Sequence, residues 1–143
     1  MLNAEALIGA WKLMSWCIEY ADGRVTYPYG EQARGLLIYT GDGLMNAVLY
    51  GQNRGPVSTP SVRQAPAAEK AALFDSVMQY AGPYRIDGTD VIHHVEYALN
   101  PDLLGTQQRR HVRFEGPVLH LSGVEILDGT GTRRTHRLTW TRA

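Results

Sequence analysis

Cysteine is almost absent from this sequence: Cys17 is the only one, so no disulfide can form within the chain. Disulfides persist mainly in oxidising compartments, and their absence favours a reducing one. The first ten residues carry no basic segment followed by an apolar core, so we expect no signal peptide. Together these features predict a cytoplasmic protein.

Net charge is also missing, because fourteen acidic and fourteen basic residues cancel. Proteins that bind nucleic acid or anionic membranes usually carry a basic patch or stripe. The arginines within 109–113 form a local cluster, which we interpret as a solvated strand face. Apolar runs stay well below the roughly 20 residues that a membrane-spanning helix needs. We therefore expect neither nucleic acid nor a membrane as a partner.

Motifs for metals and nucleotides are missing as well. The sequence has no Cys-x-x-Cys pair and no His-Glu-x-x-His helix, and the adjacent His93 and His94 point to opposite faces of a strand. Gly41–Asp42–Gly43 lacks the strand–loop–helix context of a phosphate-binding loop. Cys17 has no local activating partner, and we interpret it as a buried, inert thiol. We predict no metal site and no cofactor.

The sequence does contain a series of short extended segments separated by turns. Aromatic and β-branched residues are frequent in these segments, and Gly, Asp and Pro lie between them. The predicted strands are Trp11–Tyr20, Val25–Tyr29, Gly35–Thr40, Leu44–Tyr50, Tyr84–Ile86, Asp90–Leu99, Thr106–Glu115, Val118–Leu127 and Arg133–Arg142. About eight to ten strands in consecutive hairpins favour an antiparallel meander, which closure into a barrel would free of exposed edges. Residues 1–143 suit a single all-β domain of this kind.

One helix is expected to interrupt this pattern. Pro66 suits a first helical turn, and Gly82–Pro83 would end the helix. Between them lies an apolar stripe at three- and four-residue spacing, formed by Ala71, Phe74, Met78 and Ala81. We therefore predict a helix near 66–81, with Phe74 and Met78 packed on the sheet.

The predicted strand Asp90–Leu99 carries ionisable residues where aliphatic ones are usual. Alternation divides it into two faces, one with Ile92, His94, Glu96 and Ala98, the other with Val91, His93, Val95, Tyr97 and Leu99. Either choice of buried face buries a histidine, which is costly unless the ring is paired or hydrogen-bonded. The strand therefore lines a polar cavity or covers a buried hydrogen-bond network.

Several segments, in order along the chain, resemble the bacterial lipocalin-like domain family. They are Gly9–Leu13, Tyr27–Glu31, Gly35–Thr40, Tyr80–Tyr84, His93–Glu96, and Pro101 with Gly105–Thr106. The first contains the Gly-x-Trp signature of lipocalins. The resemblance implies an up-and-down β-barrel with a central cavity, in which Trp11 pairs with a C-terminal arginine, Arg137 or Arg142. The Thr-Asp-Tyr motif and the disulfides of secreted lipocalins are absent, which argues against a secreted carrier.

Within such a barrel we predict two sets of site residues. The candidate catalytic group is His94 with Glu96, and Arg110 holds the carboxylate ionised because a symmetric hairpin about Asn100–Gly105 places it opposite Glu96. The candidate ligand-binding residues are Trp11, Tyr39, Asn46, Tyr80, His136 and Trp140. A buried structural network is the alternative role for His94 and Glu96.

The sequence leaves two functions open. The first is a cytoplasmic barrel, monomeric or homodimeric, that binds a small apolar or aromatic metabolite in its cavity. The second is a cofactor-independent enzyme, such as an isomerase, cyclase or hydratase, that uses the His94–Glu96 pair in the same cavity. The two hypotheses differ in whether His94 and Glu96 must face the cavity.

Overall fold

The computed structural model describes residues 2–127 and 129–143, and within these ranges ten strands form one antiparallel sheet. The strands are β1 (Gly9–Tyr20), β2 (Val25–Thr26), β3 (Arg34–Tyr39), β4 (Leu44–Tyr50), β5 (Val77–Asp87), β6 (Asp90–His94), β7 (Tyr97–Ala98), β8 (Gln107–Glu115), β9 (Val118–Ile126) and β10 (Arg133–Arg142). A helix, α1 (Ala67–Asp75), lies between β4 and β5. Short 3-10 turns lie at Ala4–Ala6, Val62–Gln64 and Pro101–Leu103.

Eight of these strands close into a barrel because the last one pairs with the first. Around the wall the order is β1, β3, β4, β5, β6, β8, β9 and β10, and Leu138 of β10 faces Trp16 of β1 at the closure. The two shortest strands only extend a neighbour, since β2 pairs with β1 and β7 pairs with β5. Closure removes the open edges of the eight-stranded wall. The predicted all-β, up-and-down barrel with one inserted helix is confirmed.

The hydrophobic core lies inside the barrel, where alternate residues of each strand point. On β3 and β4 the inward residues Leu37, Tyr39, Met45, Ala47 and Leu49 are all buried, and the residues between them are exposed or half-buried. Each large apolar side chain buried in this way contributes about 1.5–3 kcal/mol. The period of two along each strand therefore decides what faces the interior.

Trp11 lies in the core at one end of the barrel, near the start of β1. Its side chain is 2% exposed, and its indole N–H donates to the carbonyl oxygen of Leu7 at 2.9 Å. The guanidinium carbon of Arg142 lies 3.9 Å from the centre of the Trp11 ring, and its Nη1 donates to the carbonyl oxygen of Ile8 at 2.6 Å. Of the two arginines considered, Arg142 is therefore the one that pairs with Trp11. Arg137 instead forms an ion pair with a glutamate on β1.

The helix is shorter than predicted. α1 ends at Asp75, and the chain continues as β5, whose ladder with β4 begins at Val77. No residue of α1 is buried and Phe74 is 43% exposed, so the predicted packing of Phe74 on the sheet is wrong. Met78 belongs to β5 and packs against the core. Pairing with β4 and burial inside the barrel outweigh the helical spacing of residues 77–81, because tertiary context overrides local propensity.

The strand predicted over 90–99 is interrupted by a bulge. β6 ends at His94, and in the gap before β7 the backbone N–H of Glu96 donates to the carbonyl oxygen of Ala81 at 3.0 Å. A glycine is required opposite the bulge, since a Cβ at Gly82 would overlap the carbonyl oxygen of His94. Bulges of this kind re-aim side chains and break the simple alternation of a strand.

Trp11→Ala should lower the free energy of unfolding by about 3–5 kcal/mol, because it removes a buried ring and the partner of Arg142. Urea denaturation followed by circular dichroism measures the change. Met14→Ala, at an exposed position of the same strand, is the control and should change stability by about 0.5 kcal/mol or less. Similar losses in both variants would contradict a special role of Trp11.

Candidate functional site

The barrel contains a cavity of about 470 Å³. Sites for small molecules usually have volumes of about 300–1,000 Å³. Eight of the eighteen lining residues carry aliphatic or thioether side chains, namely Leu37, Ala47, Leu49, Met78, Leu103, Leu121, Val124 and Leu138. Polar side chains interrupt this wall in three places: at a buried histidine on β6, at Gln108 and Arg110 on β8, and at a cluster on β1, β9 and β10.

His93 is the buried histidine, and it lies between two tyrosines. Its side chain is 2% exposed, with Nε2 2.7 Å from the Tyr39 hydroxyl and Nδ1 2.8 Å from the Tyr80 hydroxyl. Burial lowers the pKa of His93 to about 3, and the positive charge of Arg110 acts in the same direction. Burial raises the pKa of both tyrosines. At neutral pH all three groups are therefore uncharged.

A neutral imidazole between two hydroxyl groups limits where the hydrogens can lie. One tyrosine donates to the unprotonated nitrogen, and the other accepts from the N–H and must direct its own hydrogen elsewhere. Tyr39 is 1% exposed and does not line the cavity, whereas Tyr80 does. A buried donor without an acceptor costs about 1–3 kcal/mol. We therefore assign the proton to Nδ1 of His93, which leaves the Tyr80 hydroxyl hydrogen for the cavity.

The second polar cluster joins β1, β9 and β10. Glu125 Oε2 accepts from Arg134 Nε at 2.7 Å and lies 2.8 Å from His136 Nε2. The indole N–H of Trp16 donates to His136 Nδ1 at 3.2 Å, so the proton of the neutral ring is on Nε2. Burial lowers the pKa of His136, and the hydrogen bond from Arg134 lowers that of Glu125. The cluster is a neutral imidazole beside an ionised, paired carboxylate.

Both cavity histidines thus use both ring nitrogens. His93 is bonded by two tyrosines, and His136 by an indole and a carboxylate. An imidazole acts as a general base through a free nitrogen within reach of the substrate. His93 and His136 therefore orient the groups around them rather than present a free base.

Arg110 differs from the other cavity cation, Arg134, in having no acidic partner among the residues that the structure describes. Its side chain is half-buried, and its Nη1 donates to the carbonyl oxygen of Arg109 at 2.9 Å. Among residues 2–127 and 129–143, no carboxylate oxygen lies within 4.0 Å of its guanidinium nitrogens. The described lining holds two arginines and one glutamate, so with neutral histidines it carries one net positive charge.

The predicted orientation of His94 and Glu96 is wrong. Glu96 is exposed, His94 is half-buried, and neither lines the cavity. Arg110 pairs with Val91, which lies five residues before the predicted partner Glu96. A register shift by an odd number of residues exchanges the two faces of a strand. The bulge and the Pro101–Leu103 turn take up residues that a symmetric hairpin would pair. The catalytic role of His94, Glu96 and Arg110 stays a prediction, without the shared cavity that motivated it.

Half of the predicted ligand-binding residues line the cavity, namely Tyr80, His136 and Trp140. Tyr39 lies behind the wall and contacts His93. Trp11 fills the core at the end of the barrel. Asn46 is exposed on the outside, where its side-chain oxygen accepts a hydrogen bond from Gln79 at 3.0 Å. It points outward because its neighbours on β4 point inward.

Sequence reasoning missed five polar or aromatic residues of the lining: Trp16, His93, Gln108, Glu125 and Arg134. A signal for His93 existed, because Val91 and Val95 share its face and β-branched aliphatic residues mark the buried side of a strand. The Trp16, Glu125 and Arg134 side chains come from three strands. Only the pairing register brings them together, so no local pattern predicts the cluster.

The fold and the cavity define a class of protein: an eight-stranded antiparallel barrel with an internal small-molecule site and a tryptophan stacked under a C-terminal arginine. A family model for the lipocalin-like domain matches residues 8–143. The chain therefore belongs to the lipocalin-like domain family, and the predicted resemblance is confirmed. A search of curated proteins found no match.

The described part of the chain offers neither a membrane-spanning helix nor a metal-binding group. There, no helix is long and apolar enough to cross a bilayer. The same residues bring together no group of three His, Cys, Asp or Glu side chains that could hold a metal ion. Cys17 is half-buried rather than buried, and desolvation, together with the charge of Glu19, raises its pKa. The thiol form of Cys17 is therefore favoured.

The free energy of unfolding should fall as the pH is lowered from 7.5 to 5. Native His93 stays neutral because its pKa is about 3, whereas in the unfolded chain its pKa is near 6.5 and it takes up a proton. The unfolded state then binds more protons, so this contribution is fully present above about pH 6.5 and declines below it. It should amount to about 2 kcal/mol between the two pH values, measured by urea titration.

His93→Gln should flatten this pH dependence, although it also lowers stability at pH 7.5. The pKa of His136 is lowered too, so His136 contributes in the same direction and part of the slope should remain. Met14→Ala, at an exposed position without a titratable group, is the control and should keep the full slope. An unchanged slope in His93→Gln would contradict a buried, neutral His93.

Arg110→Met should leave the melting temperature unchanged or raise it. A half-buried guanidinium without an acidic partner is desolvated without full compensation, and methionine removes that cost while retaining an apolar stem. Arg134→Met breaks the ion pair with Glu125 and should lower the melting temperature. Differential scanning calorimetry compares the two variants. An equal decrease in both would show that the Arg110 charge stabilises the fold.

Proposed function

We propose that this protein binds one small, largely apolar molecule inside its barrel. The observation that carries the proposal is the cavity of about 470 Å³, with its aliphatic wall and its few fixed polar groups. An eight-stranded barrel has room for one small ligand, and such sites combine apolar walls with a few polar anchors. The single cysteine supports a cytoplasmic location for this binding protein.

The lining favours a ligand with an apolar or aromatic body and a hydrogen-bond acceptor. Trp16, Tyr80 and Trp140 contribute ring surfaces to the wall. With the proton of His93 on Nδ1, the Tyr80 hydroxyl hydrogen is left without an acceptor on His93. Because unpaired buried donors are costly, a ligand acceptor at this position would add affinity.

The hydrogen bonding of the two cavity histidines favours ligand binding over catalysis. Each has both ring nitrogens occupied by protein groups, so neither supplies a free base. The polar groups are arranged to hold fixed positions, which suits recognition.

A cofactor-independent isomerase, cyclase or hydratase is the second candidate. It is favoured by the Tyr80 hydroxyl, which is backed by His93, and by the positive charge of Arg110 in the same cavity. A fixed donor and a cation stabilise negative charge that develops on a substrate oxygen. This candidate predicts that the purified protein converts its bound molecule without an added cofactor, and that Tyr80→Phe slows the conversion.

Ala47→Phe should abolish ligand binding, because Ala47 points inward and a ring at this position fills part of the cavity. Val48→Phe adds a ring to the same strand on its outer face and is the matched control. The neutral fluorescent probe N-phenyl-1-naphthylamine should bind the wild type and Val48→Phe but not Ala47→Phe. Native mass spectrometry of freshly purified protein should show a co-purified molecule with the same dependence. Equal probe binding by the two variants would contradict binding in the cavity.

A further inference from the structure

The electrical charge of the cavity lining is not balanced by the side chains of residues 2–127 and 129–143. Arg134 is paired with Glu125 at 2.7 Å, and both lining histidines are neutral because burial lowers their pKa values. Arg110 has no such partner in the described ranges, where its guanidinium donates to the carbonyl oxygen of Arg109. A guanidinium has five N–H donors, so most of those of Arg110 are left for another acceptor.

A glycine on the neighbouring strand makes room for the Arg110 guanidinium. A Cβ at Gly123 would lie 2.8 Å from Arg110 Nη1. The backbone of Gly123 is not in the left-handed region, so its conformation does not require glycine. Glycine is favoured here because any larger side chain would displace the Arg110 guanidinium from its position beside the cavity.

The Arg110 charge acts on both polar clusters of the cavity. Burial has the larger effect on all three groups: it raises the pKa of Tyr80 and lowers those of His93 and His136, and the Arg110 charge opposes it at Tyr80 and reinforces it at the two histidines. The Tyr80 side chain also lines the cavity, and its hydroxyl hydrogen is a further donor there. A cation and a neutral donor together fit a ligand group that is an anionic acceptor.

We propose that the cavity takes an apolar carboxylic acid, whose carboxylate binds the Arg110 guanidinium while its apolar body lies against the aliphatic and tryptophan side chains. The planar guanidinium matches the two oxygens of a carboxylate and binds them with paired hydrogen bonds. The Tyr80 hydroxyl supplies a further donor. This inference rests on the proposed function and adds the chemical class of the ligand.

A single negative charge fits the lining better than a double one. The two arginines and Glu125 leave one positive charge for the ligand to balance. A phosphate dianion would leave an uncompensated negative charge in a cavity with mostly apolar walls, which is costly. A carboxylate balances the charge completely.

Matched acids and alcohols test the inference. Dodecanoate is compared with dodecanol, and 1-naphthylacetate with 1-naphthaleneethanol, by displacement of N-phenyl-1-naphthylamine at pH 7.5. The wild type should bind the acid of the better-fitting pair roughly 10-fold to 100-fold more tightly, the usual worth of hydrogen bonds to a charged group. Equal affinities for acid and alcohol would overturn the inference.

Variants of the wall locate the preference. Arg110→Gln should abolish it and leave the affinity for the alcohol largely unchanged, and Gly123→Ala should reduce it by displacing the guanidinium. Arg113→Gln, at an exposed position of the same strand, is the control and should keep the full preference. Binding of the neutral probe shows that each variant is folded. A preference that survives Arg110→Gln would overturn the inference.

Probe binding and its displacement distinguish a protein that binds no ligand from one that binds ligands without preferring carboxylates. If the probe does not bind the wild type, or no acid or alcohol displaces it, ligand binding in the cavity is overturned together with the carboxylate. If the alcohols displace the probe as well as the acids do, binding in the cavity stands and only the carboxylate is overturned.

Discussion

The polar side chains inside this barrel must be paired, because an unpartnered polar group in an apolar interior costs about 1–3 kcal/mol. His93 meets this requirement through Tyr39 on β3 and Tyr80 on β5, at 2.7 and 2.8 Å. The three residues come from three strands, so their hydrogen bonds also select the strand register. A slip of one residue along β6 would turn His93 outward and leave both tyrosines without a partner.

The requirement that buried polar groups be paired also distinguishes Arg110 from the other polar side chains of the cavity. Glu125, Arg134 and His136 satisfy one another, with Trp16 completing the cluster. Arg110 is the exception within the described residues, since a charge is brought beside an apolar cavity without a counter-charge from the protein. Departures of this kind occur at functional sites as well as in structural networks. The Arg110 charge is therefore the feature on which the proposed carboxylate specificity rests.

Much of the barrel was predictable from local patterns. Turn residues and alternation define Leu44–Tyr50 with the bounds that the structure shows, and Gly9–Ala10–Trp11 marks the first strand of the wall. The predicted helix is too long, because the spacing of Met78 and Ala81 also suits a helix. In the structure these residues pair with β4, and that pairing is not visible in the sequence. Pairing between β4 and β5, which are distant in sequence, determines that residues 77–81 form a strand.

The candidate site was predictable only in part, for the same reason. Tyr80, His136 and Trp140 stood out as aromatic or imidazole side chains on strands, and they line the cavity. The choice of His94 over His93 depended on the register between β6 and β8, which the bulge beside Gly82 and the turn before β8 determine. Neither feature has a signature in the spacing of residues. The inward face of β6 therefore had to come from the structure.

The most direct test is the protonation state of the histidine ring nitrogens, read by nitrogen-15 NMR of the folded protein between about pH 8 and pH 5. His93 should be a single neutral tautomer with its proton on Nδ1 and should not titrate in this range. His136 should carry its proton on Nε2 when neutral. A His93 ring that titrates near its ordinary pKa, or that carries its proton on Nε2, would contradict the arrangement that leaves the Tyr80 hydroxyl to the ligand.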